Sequence, residues 1–167
     1  MPGIGGTRTS ESPDAVAVAA TATRVAGCTV DSDAETDLTL GSSTITGSAS
    51  VTGEGETTVT LTNTSVAGAL PVTGASATTV SLTGSSADSL TVESGGETGV
   101  TLSGTDVAGD LIITGGRETD VPIHSPRTVD GAVTIPTLCQ VPVYIEFCTT
   151  APRAHPVHHA THVPLTA

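Results

Sequence analysis

The stretch TTVTLTNTSVAGALPVTG, residues 57–74, decides the fold, because nearly the same phrase returns as TGVTLSGTDVAGDLIITG at residues 98–115. Each copy holds an apolar–x–apolar pair, a polar turn, a lone apolar residue, a Gly bend, a second apolar pair and a closing Gly. Reading outward, copies start at Thr36, Thr57, Thr78, Thr98 and Thr119, so successive starts differ by 21, 21, 20 and 21 residues. An earlier, looser copy begins near Ala15, with Val16/Val18 and Cys28/Val30 as its apolar pairs. That makes about six repeats of one physical unit.

The unit is built of strands. Leu38/Leu40, Val59/Leu61, Val80/Leu82, Val100/Leu102 and Val121/Ile123 alternate with polar residues, which is the period of a strand with one buried face. The second pairs are Ala49/Val51, Leu70/Val72, Leu90/Val92, Leu111/Ile113 and Val133/Ile135, and the lone residues are Ile45, Val66, Ala87, Val107 and Val129. No window carries a helical stripe, and abundant Thr and Gly disfavour helix. Strands this short do not form a stable sheet alone. Stacking solves the problem, because equivalent strands of successive repeats pair in parallel and equivalent side chains form columns. The expected fold is therefore all-β, a single-stranded parallel β-solenoid of about six coils with ~21-residue turns. An antiparallel β-sandwich is the alternative, but sandwich strands have no reason to keep one period. The column Thr36, Thr57, Thr78, Thr98, Thr119 is uniform, and its hydroxyls are expected to bond from rung to rung.

Composition narrows the function. The 167 residues carry a net charge of −12, no Lys and five Arg, which repels nucleic acid and anionic membranes. Such acidity suits a salt-rich environment or a GC-rich genome. Aromatics are 1% of residues, so the core must be thin and aliphatic. No run is long enough to insert in a membrane, and no basic-then-apolar secretory leader is seen, so synthesis in the cytoplasm is expected. Cys28, Cys139 and Cys148 are too few for a disulfide scaffold; Cys28 reads as a buried small residue, and Cys139 and Cys148 could pair.

The expected layout is a flexible arm at 1–14, repeats at 15–139, a capping strand at 140–148 and an extended Pro/His-rich arm at 149–167. Tyr144 and Phe147 would plug the last coil or form an oligomer contact. In the tail, His155, His158, His159 and His162 have spacings that could ligate Zn or Ni on a helix, but Pro156 argues against a helix there.

Chemistry is hard to find. A Lys-tipped phosphate loop is excluded, no G-x-S-x-G elbow occurs, and His124 is the one His within the repeats. Neither a catalytic residue nor a cofactor is assigned, and the chain reads as a non-enzyme. Glu35, Glu56, Glu97 and Glu118 form a partial column that could bind Ca²⁺ or act on a glycosidic bond, but reads first as a solvated acidic edge. Asn63-Thr64-Ser65 is a glycosylation sequon.

Thr58/Thr60 and Thr79/Ser81 resemble the Thr-x-Thr rows of ice-binding solenoids, but Asp37, Gly99, Asp120 and Pro122 interrupt them. The units VAGALPVTG, VAGDLIITG and VDGAVTIP resemble rungs of two solenoid groups: the β-helical spikes, fibres and decoration proteins of tailed viruses, and, more weakly, the bactofilin filaments. The first resemblance implies a structural virion component (capsid decoration, turret, spike or fibre), a homo-oligomer such as a trimer, held to a capsid or tail by its terminal arms, with a surface glycan as a further partner. It implies location in a virion or other extracellular assembly. The second implies a self-polymerising cytoplasmic filament. A carbohydrate-binding β-helix is a further alternative.

Overall fold

The computed structural model describes residues 7–116, 118–124, 128–135 and 145–146. Among these the chain is all-β, a parallel β-solenoid without helix. Each turn opens with a six-residue strand: Val16–Thr21, Thr36–Gly41, Thr57–Thr62, Thr78–Thr83 and Thr98–Ser103. These pair in sequence, with Val16 facing Thr36, Thr36 facing Thr57, Thr57 facing Thr78, Thr78 facing Thr98 and Thr98 facing Thr119. The rungs counted from the repeat starts thus delimit about five turns, and the parallel stack excludes the sandwich.

A corner leads to a short second segment, Arg24–Val25, Thr44–Ile45 or Asp106–Val107, and then to a third, Gly27–Ser32, Ala49–Gly53 or Leu111–Gly115. In two turns these merge into one strand, Ser65–Gly74 and Ser86–Ser94. The 20-residue repeat costs no core register. Ser65 and Val66 face Ser86 and Ala87 at an offset of 21, whereas Leu70 faces Leu90 at an offset of 20, the shift falling between Ala87 and Ser89.

The core is a set of aliphatic columns. Leu38, Val59, Val80, Val100 and Val121 form one, and Leu40, Leu61, Leu82 and Leu102 a second, all buried. Ile45, Val66, Ala87 and Val107 line the short segment, and Leu70, Leu90 and Leu111 the third. Alternation is what allows this: each strand turns every second residue inward, so a rung buries five aliphatic groups without a bulky ring. The columns weaken toward the C-terminal end, where Val129 and Ile135 are half-buried and Val133 is 46% exposed.

One boundary differs from expectation. Thr7–Ser12, within the segment read as an arm, is a strand paired in parallel with Gly27–Ser32, so the solenoid begins before Ala15. Its sequence, TRTSES, has no apolar alternation to announce it; the ladder is a property of its backbone. At the other end, Ile145–Glu146 pairs in parallel with Ile123–His124. Tyr144, Phe147, Cys139, Cys148 and the tail histidines His155, His158, His159 and His162 lie outside the described residues.

Candidate functional site

Hydroxyl groups, which make up much of this sequence, occupy three distinct environments. The first is the column Thr36, Thr57, Thr78 and Thr98, which is buried as expected. Its bonding is not as expected: all four Oγ1 atoms are enclosed and make no hydrogen bond. The reason lies across the corner before each first strand, where the column meets the glycines that end the third segment. A Cβ on Gly53 would stand 2.6 Å from Thr36 Oγ1 and closer still to Thr57 Oγ1. A Cβ on Gly74 would stand 3.1 Å from Thr57 Oγ1 and collide with Thr78 Oγ1. A glycine Cα–H points where that Cβ would be, so each Thr oxygen faces a weak carbon donor rather than a polar one. The hydroxyls are directed at the glycines that end the third segment, not at a polar group of the neighbouring rung.

The second environment is a buried hydroxyl column that sequence reasoning missed: Ser43, Thr64, Ser85 and Thr105, at the corner after the first strand. Here every group is bonded. Thr64 Oγ1 donates to the Thr62 carbonyl at 3.1 Å or, one rung down, to that of Leu40 at 3.3 Å. It also accepts from the Ser43 N–H at 3.3 Å. Ser85 Oγ repeats the pattern with Leu61 and Thr83 carbonyls and the Thr64 N–H, at 3.0 to 3.1 Å. Thr105 Oγ1 donates to Leu82 at 3.0 Å. These side chains replace the backbone partners lost where the chain turns. The residue before each one, Ser42, Asn63, Gly84 and Gly104, sits in the left-handed region, as does Ala22 before the half-buried Thr23 one rung earlier, with φ from 49° to 59°. The signal was present as a Ser/Thr directly after a turn-former at one register, but it was hidden among many exposed Ser and Thr.

The third environment is the outer surface of the first strands. Thr39, Thr60, Ser81 and Thr101 stand in register with one another, half-buried or exposed, and Thr62, Thr83 and Ser103 flank them. Asp37 and Gly99 interrupt the parallel row of Thr58 and Thr79. The acidic residues Glu35, Glu56, Glu97 and Glu118 are exposed at the corner before the Thr column, and Ala77 breaks their row. Among the described residues, no group of three or more His, Cys, Asp or Glu is placed to hold a metal ion. Asn63 is exposed at its corner, and its Oδ1 lies where a Cβ of Gly84 would be.

One small cavity, of about 20 Å³, lies near the N-terminal end against Val18, Ala20, Val25, Cys28 and Leu40. It arises because Ala20 and Val18 occupy columns that hold Leu40 and Leu38 one rung on. It has room for about one water, and its lining is apolar. Comparison with known proteins finds no matching family, no matching curated protein and no matching solved structure.

Proposed function

We propose that this chain is a non-enzymatic structural building block, a stiff solenoid module carried in a larger protein assembly. The observation that supports this reading is the unbroken register of its columns through about five turns. Inward positions are committed to stacking, and most outward ones are small, hydroxylated or acidic, Arg24, Pro71 and Ile112 being exceptions. A fully paired parallel ladder resists bending and local opening. The specific form of the reading is a virion component, mounted on a capsid or tail as a discrete homo-oligomer. The second reading, a filament joined coil end to coil end, draws on the same stack.

Size-exclusion chromatography with multi-angle light scattering separates them. A discrete oligomer of fixed mass supports the mounted module. Open-ended growth with concentration supports the filament. A monomer at all concentrations that binds no larger assembly overturns both. Removing residues 149–167 is expected to abolish attachment to the parent particle while leaving the solenoid's unfolding transition in place; attachment that survives the deletion refutes the role of the C-terminal arm.

A further inference from the structure

Asn63 is the one asparagine of the chain, and it heads the triplet Asn63-Thr64-Ser65. The structure places that triplet at the corner between Thr57–Thr62 and Ser65–Gly74. Asn63 and Ser65 are exposed, and the intervening Thr64 is buried. A surface corner is the context in which an Asn-x-Ser/Thr triplet can carry a glycan.

A purely local account of this Asn fails on its hydrogen bonds. Asn tolerates the left-handed conformation, here φ 49°, and its side chain commonly closes an Asx-turn. That turn needs the Ser65 N–H, which donates instead to the Ser43 carbonyl of the neighbouring rung at 3.0 Å. The Thr64 N–H donates to Ser85 Oγ at 3.1 Å, and it is Thr64 Oγ1 that reaches the Thr62 carbonyl. The Asn63 carboxamide makes no hydrogen bond among the described residues. Nor does the backbone require Asn, because the equivalent positions one and two rungs on are Gly84 and Gly104, at φ 59° and 58°. The carboxamide is thus spare as far as the fold is concerned.

The space around it is open. Ala22, Ser42, Gly84 and Gly104, all small, share its corner file. Asn63 Oδ1 lies over Gly84, in the space that a Cβ there would take. Ser65 Oγ accepts from Ser86 Oγ at 3.1 Å and keeps its own proton to donate. In a chain of net charge −12, no charged residue lies between Glu56 and Asp88, so this stretch lacks ionic hydration of its own.

We infer that Asn63 is an N-glycosylation site. The donor is a sugar activated at its anomeric carbon by a pyrophosphate-bearing carrier, either a lipid or a nucleotide. Asn63 Nδ2 bonds to that carbon, and the bond from the carbon to the phosphate oxygen breaks. The carrier leaves with the electron pair, and an amide proton passes to the transferase. The glycan would stand beside Thr62 and Thr83 and hydrate the stretch that has no charge. The inference does not depend on the building-block reading.

Mass spectrometry of the full chain purified from its native source tests it. Cleavage after Glu56 and Glu93 isolates residues 57–93, which hold Asn63. This peptide is expected to carry carbohydrate, localised to Asn63 by fragmentation. A single added sugar identifies a nucleotide carrier, and a longer chain a lipid carrier. Made in the same source, Asn63→Gln and Ser65→Ala should lose the modification completely, and Ser65→Thr should keep it. A bare 57–93 peptide in the native protein overturns the inference. So does carbohydrate found only on its Ser or Thr residues, carbohydrate that survives Ser65→Ala, or its loss in Ser65→Thr.

Discussion

Exchanging Thr for Val at two buried positions should have opposite consequences. Thr78 and Thr64 are both enclosed, with exposures of 1% each, and lie one turn-fraction apart in the same solenoid. Thr78 Oγ1 has no hydrogen-bond partner and faces Gly74. Thr64 Oγ1 donates to the Leu40 or Thr62 carbonyl and accepts from the Ser43 N–H. An unsatisfied buried hydroxyl costs about 1–3 kcal/mol, and a weak Cα–H contact returns about 0.5–1 kcal/mol of that. Thr78→Val should therefore range from neutral to about 2 kcal/mol more stable. Thr64→Val removes the hydroxyl and strands a buried N–H, a loss of about 2–3 kcal/mol. For a chain of this size 1 kcal/mol moves Tm by roughly 2–4 °C. Urea unfolding followed by circular dichroism reads both variants against the parent. Equal losses in the two variants, or a Thr78→Val loss above about 1 kcal/mol, would refute the assignment of one column as unpaired and the other as a bonded ladder.

Other substitutions follow from the same geometry. Gly74→Ala should cost about 2–3 kcal/mol, because its Cβ enters the space of Thr78 Oγ1. Gly99→Ala, whose Cβ would lie 4.0 Å from Thr79 Oγ1, should be neutral or gain about 0.5 kcal/mol; thermal melts of the two variants check the contrast. Ala22→Gly should raise stability by roughly 0.5–1 kcal/mol, since Ala22 holds φ 52°. A fall in urea midpoint for Ala22→Gly would mean that the corner is not left-handed in solution.

The period was legible because columns require it. Val59, Val80 and Val100 must coincide in space, so they recur in sequence, and the starts at Thr36, Thr57, Thr78, Thr98 and Thr119 are the observed partners. The environments of the hydroxyls were not legible. Thr57, Thr60 and Thr64 are one residue type within eight positions, yet one is buried and unpaired, one faces outward and one is buried and bonded. Side-chain type cannot separate these; only the corner after Thr62, which shifts the alternation, does. Thr7–Ser12 escaped notice for a related reason, since a strand held by its backbone ladder needs no apolar pattern.

The central claim is an in-register parallel stack with a 20- to 21-residue rung. Thr39, Thr60, Ser81 and Thr101 face one another on consecutive rungs, at the ~4.8 Å strand spacing that permits a disulfide. Paired substitutions Thr39→Cys/Thr60→Cys, Thr60→Cys/Ser81→Cys and Ser81→Cys/Thr101→Cys can be oxidised and mapped by peptide mass spectrometry under non-reducing conditions. The account predicts that all three pairs form their cross-link, whereas the off-register pair Thr60→Cys/Ser103→Cys does not. Failure of any adjacent pair, or efficient cross-linking of the off-register one, would contradict the solenoid.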